Sequence, residues 1–168
     1  MGLFNKRKKN EKQDVDIVQR NALKNSNTAV NYAKSFKKIF DYSYKSIGEL
    51  EEILDFYSND ILKSKPTENQ IWSMSIIFGS YLGESMLKNG LAQKGYKWGK
   101  DNSSPIPLLV DDKGNFITPH DKVYKRLVNG KEDSIVSFYD VVMDIIRDHK
   151  QLTNLNLCEG SSNSKKPL

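Results

Sequence analysis

From Ile71 to Leu87 the chain reads IWSMSIIFGSYLGESML, a segment apolar around almost a whole helical circumference. Two glycines four residues apart and one carboxylate, Glu84, interrupt it. A helix of that pattern belongs inside a domain, covered on several sides. At about 100° per residue three of its polar members, Ser73, Ser80 and Glu84, collapse onto one narrow strip. Gly79 and Gly83 fall on an apolar face instead, where the missing side chains leave a groove for another helix or strand to approach closely. Thr67 with Gln70 forms a capping box ahead of the segment, and Asn89-Gly90 supplies a left-handed stop behind it. The pattern therefore predicts a central helix over about 68–89.

Upstream, residues near 14–24 form a weak helical segment, and Val30, Ala33, Phe36, Ile39 and Phe40 recur at helical spacing. Ser46 and Glu49 make a second capping box before Leu50, Ile53, Leu54, Tyr57 and Ile61, which predicts a helix over about 47–63 that Pro66 follows. Downstream the period changes. GYKWG (95–99), IPLLV (106–110) and NFIT (115–118) are short runs rich in aromatic and β-branched residues, and Asp111-Asp112-Lys113-Gly114 offers hairpin turn chemistry. Pro105 and Pro107 suit a strand start or an edge. Thr118-Pro119 opens a short helix that Asn129-Gly130 closes. A last helix over about 133–150 keeps Ile135, Phe138, Tyr139, Val142, Met143, Ile145 and Ile146 on one broad face. N-terminal helices, a small antiparallel sheet over about 95–118 and two C-terminal helices make an α+β arrangement.

The net charge of +5 changes the picture only once it is located. Residues 1–12 hold five basic residues and one acidic, residues 153–168 two and one, so residues 13–152 are electrically balanced. Basicity belongs to the two ends, both expected as disordered tails around a single domain over 13–152. That weighs against a nucleic-acid-binding fold, which would carry a basic face on the domain itself. Contact with nucleic acid or anionic lipid is expected, if anywhere, only through the basic tail. No apolar run reaches the roughly 18–20 residues of a membrane span, and no secretory pattern opens the chain, so an integral membrane protein is not expected and a cytoplasmic one is.

The candidate chemistry is sparse. Cys158, His120 and His149 have no second ligand at metal spacing, so neither a metal nor a cofactor is expected. No serine stands in a nucleophile-elbow pattern and no glycine run matches a phosphate loop, so no catalytic residue is assigned. A candidate cleft could be lined by Ser73, Ser80 and Glu84 with Trp98 and Arg126, serving a small enzyme or a ligand-binding domain. The plainer reading makes the strip a solvated helix edge on which Glu84 pairs with Lys88. Gly79 and Gly83 are read as packing residues, and Trp98 as a core residue of a strand with outward lysines. Lys122, Lys125 and Arg126 on one helix could meet a phosphate, or simply form a solvated face.

The order Tyr81-Leu82-Gly83-Glu84, then Trp98, a proline-containing hairpin, P-x-x-x-V-x-K-R-L-x-N-G from Pro119 to Gly130, and Glu132-Asp133-Ser134-Ile135 with Phe138-Tyr139 resembles a group of uncharacterised small bacterial domains. The resemblance covers about residues 68–146. It implies a cytosolic α+β fold, and by analogy with small proteins of this look, an immunity protein that neutralises a toxin. The expectation is a non-catalytic binding protein whose partner is another protein.

Overall fold

The computed structural model describes residues 2–101 and 104–144, with side chains over 14–100 and 106–144. The first helix, α1, runs Gly2–Ser35. No glycine or proline stands between Leu3 and Ser35, and the lysines, glutamate and glutamine of its first turns are good helix formers. Residues 2–12, expected as a disordered tail, are therefore helical in the structure. Val18, Ala22, Ser26, Ala29 and Ala33 form its buried stripe. Those small side chains let α1 lie close along the central helix. The helix stops earlier than the apolar spacing suggested, because Lys37 turns left-handed (φ 58°). Phe36, Ile39 and Phe40 thus sit in a loop, where Phe40 stacks on Tyr81 at 4.3 Å between ring centroids.

Helix α2, Tyr44–Ser64, is capped by Ser43, one turn before the expected Ser46–Glu49 box. Ser46 is committed elsewhere: its hydroxyl donates to the Ser43 carbonyl (2.7 Å) and lies 2.6 Å from the Tyr81 phenol. Glu49 instead accepts from the Ile39 amide at 2.8 Å. Central helix α3, Glu68–Met86, begins with the expected Thr67–Gln70 box. A wider turn over Leu87–Leu91 follows, in which Gly90 breaks the helical path.

Strands β1 (Lys97–Asp101), β2 (Ser104–Val110) and β3 (Phe116–Ile117) pair antiparallel in that order. Trp98 stands opposite Leu109, and Leu109 opposite Ile117. Asp111 shapes the β2–β3 turn by accepting from the Lys113 and Asn115 amides at 2.9 and 2.8 Å. Helix α4, Pro119–Asn129, leads through a short 3-10 turn to α5 over 135–144. Glu51 of α2 accepts from the Ile135 amide (2.8 Å) and so caps α5 from a distance. One hydrophobic core runs from Val18 to Met143. The architecture is α+β, as expected. The rest of the last helix, His149, Cys158 and the tail over 153–168 lie outside the described residues. Among the described residues no helix is long and apolar enough to cross a membrane.

Candidate functional site

From Phe78 to Met86 every residue of α3 is buried. The glycine groove is filled twice. A Cβ on Gly79 would stand 2.6 Å from the His120 Cα of α4, and one on Gly83 would stand 2.5 Å from Cη2 of Trp98 on β1. No real side chain tolerates either distance, so the glycines set how closely α4 and the sheet can dock.

The polar strip predicted for α3 does not stay on one surface. Ser73 is exposed and donates to the Asn69 carbonyl one turn back, at 2.7 Å. Ser80 and Glu84 are swallowed by the core. Ser80 Oγ lies 3.0 Å from His120 Nε2, and His120 Nδ1 lies 2.9 Å from the Pro107 carbonyl. A carbonyl can only accept, so Nδ1 carries the proton and Nε2 accepts from the serine. Burial pushes the His120 pKa below its ordinary value, against the opposing pull of the Pro107 carbonyl. The order hydroxyl, imidazole, orienting acceptor is that of a nucleophilic site. Yet Ser80 and His120 are 0% and 1% exposed, and no substrate carbonyl reaches the hydroxyl in this conformation. The relay is a strut between α3, α4 and β2.

Glu84, 8% exposed, accepts from the Trp98 indole N–H at 2.8 Å. It does not pair with Lys88, whose ammonium sits over the Tyr42 ring at 4.8 Å from the centroid. Trp98 is fully buried, as the core reading expected. Arg126 is not part of this group. Helix α4 runs antiparallel to α3, with Pro119 near Gly83 and Tyr124 stacked on Trp72 at 4.2 Å. Arg126 therefore lies far down α3 from Glu84 and turns to α2, where Nε meets Glu51 at 2.6 Å and Nη2 meets Asp55 at 2.9 Å. That bond to Arg126 pulls the Asp55 carboxyl below its ordinary range. The five residues of the candidate cleft thus divide into a buried trio (Ser80, Glu84, Trp98), a surface serine (Ser73) and an interhelical ion pair (Arg126). The phosphate reading of α4 meets a similar arrangement: Lys122 pairs with Asp133 at 2.8 Å and Lys125 with Asp121 at 2.9 Å. Among the described residues no three His, Cys, Asp or Glu side chains gather as a metal site.

The other end of α3 is open. A cavity of about 310 Å³ lies where the end of α2, the start of α3 and α4 meet. Tyr57, Ile61, Ile71, Met74 and Leu127 give it an apolar lining, and Asp60 and Lys65 belong to it as well. Tyr57 links it to an aromatic seam between α2 and the loop that follows α1. Its ring meets Phe36 at 5.7 Å and Phe56 at 5.5 Å, and Phe36 and Phe56 meet at 5.5 Å. Phe56 is 58% exposed, and Ile39, in the loop before α2, is 72% exposed. Burial, with the nearby Tyr32 phenol, pushes the Tyr57 pKa up. Sequence reasoning passed over this region because its residues looked like ordinary members of apolar stripes. One signal was available: Phe56 lies well off the Leu50–Leu54–Tyr57–Ile61 stripe of α2.

No family model, curated protein or solved structure matches this chain.

Proposed function

We propose that the chain is a non-catalytic cytoplasmic protein that recognises another protein, of the immunity kind that neutralises a toxin. The observation that carries this reading is the half-open aromatic seam of Phe36, Phe56 and Tyr57 running into the cavity beside Met74. An exposed ring such as Phe56, flanked by the half-buried Phe36 and Tyr57 beside a pocket, is what a protein interface uses for an anchor. The polar side chains that could have served catalysis are spent on internal bonds, from Ser80 to His120 and from Glu84 to Trp98. The immunity element of the proposal rests on the sequence resemblance alone.

Affinity purification of the tagged chain from its source cells, followed by mass spectrometry, tests the reading. A stoichiometric protein partner that is lost with Phe56→Ser is the expected result. Reproducible absence of any stoichiometric partner contradicts it. For the immunity role, a toxin gene directly upstream is expected, and co-expression should suppress that toxin.

A further inference from the structure

Resting on that reading, we infer that the cavity between α2, α3 and α4 is the anchor pocket for a linear segment of the partner, carrying one bulky apolar side chain between a basic and an acidic residue. Its volume, about 310 Å³, lies at the small end of the roughly 300–1,000 Å³ of ligand sites. It suits a single leucine-, methionine- or phenylalanine-sized anchor better than a cofactor. Ile61, Ile71, Met74 and Leu127 supply apolar surface for that anchor.

The flanking charges come from Asp60 and Lys65. The neighbouring acids of α2 are committed, Glu51 to Arg126 and Asp55 to Arg126 and Lys131. Among the described residues neither Asp60 nor Lys65 makes an ion pair, which leaves one carboxylate and one ammonium at the same pocket. Asp60 stands on the last turns of α2, and Lys65 follows its end as the left-handed cap (φ 45°). At about 1.5 Å of rise per residue the two lie some 7 Å apart along the helix direction. An opposite pair so placed gives a bound segment a polarity: a lysine or arginine toward Asp60, an aspartate or glutamate toward Lys65. Phe56, Asp60 and Ser64 stand four residues apart on one row of α2, so the segment continues from the pocket onto the aromatic seam. That continuity favours a stretch of polypeptide over a free small molecule.

Selection of displayed random peptides on the full chain, with titration of the enriched synthetic peptides by calorimetry, tests the inference. Enriched peptides should share an apolar residue flanked by opposite charges. Met74→Trp, which fills the cavity, should weaken them at least about tenfold. The exchange Asp60→Lys with Lys65→Glu alters only side chains at the mouth, so it reports even if Met74→Trp folds poorly. It should reverse the charge order of the peptides selected. Peptides without the pattern, affinities unchanged in both variants, or free L-leucine or L-phenylalanine binding as tightly as the peptides would each overturn the inference. Failure here is distinguishable from failure of the function. A stoichiometric partner that still binds Met74→Trp removes the pocket and keeps the reading, whereas pocket-binding peptides with no cellular partner do the reverse.

Discussion

At its C-terminal end α3 carries a serine and a glutamate that the fold buries and bonds; at its N-terminal end the same helix leaves an isoleucine and a methionine half open beside a cavity. The difference lies in what packs against each end. Small residues at Gly79 and Gly83 admit α4 and the Trp98 strand to near contact, and polar groups covered that tightly must find partners within the protein. At the other end α2 and α3 part at the Lys65-Pro66 turn, and apolar side chains there keep some of their surface uncovered. Polarity along the sequence is therefore a poor guide to function here. The buried polar residues of α3 serve the fold, and the incompletely covered apolar ones form the recognition surface that we propose.

The sharpest way to break this comparison is to intrude on the closed end. Gly79→Ala places a Cβ against the His120 backbone, and urea unfolding should show a loss of about 3 kcal/mol or a failure to fold. A loss below about 1 kcal/mol would mean that α4 is not seated as described. Next in size is the indole bond. Glu84→Ala leaves the buried Trp98 N–H without its acceptor and should cost about 1–3 kcal/mol. Glu84→Gln keeps an acceptor and should cost less.

A pH series sharpens the same point. The folded-state pKa of His120 lies below its ordinary 6.5, so between those values the unfolded chain binds a proton that the folded chain does not. Stability is then complete above about pH 6.5 and falls as the pH drops toward the folded value. His120→Gln should flatten that part of the profile. Asp55 and Asp133, whose pKa values are lowered by Arg126 and by Lys122 respectively, add their own loss only as the pH falls below about 3.8. A profile identical in both proteins between pH 6.5 and 4.5 would place the imidazole in solvent.

The smallest effects belong to open positions. Phe56→Ser should change stability by no more than about 1 kcal/mol while abolishing partner binding. Gly48→Ala, where a Cβ would meet nothing within 4 Å, should stabilise α2 by up to about 1 kcal/mol. The opposite signs expected at Gly48 and Gly79 separate a glycine kept for no packing reason from one required by close approach.

What could be read in the sequence was local. The Thr67–Gln70 box, the glycine groove and the hairpin turn at Asp111 each depend on residues a few positions apart, and the structure carries all three. Partners distant in sequence were out of reach. Arg126 finds Glu51 and Asp55 more than 70 residues earlier, and the phenol of Tyr81 draws Ser46 away from the cap it was expected to form. Ser73, Ser80 and Glu84 share a strip on the helical wheel, but which part of it is covered depends on β1 and α4. The open end had the opposite difficulty: an apolar residue left exposed has the same letter as one in the core.

A double-mutant cycle on Glu84→Ala and Trp98→Phe, read by urea unfolding of the four proteins, tests most directly whether the buried acid of the central helix serves the fold. The account predicts a coupling of about 1–3 kcal/mol, as for a buried donor that loses its acceptor. A coupling indistinguishable from zero would contradict it and return Glu84 to the surface as a free functional group.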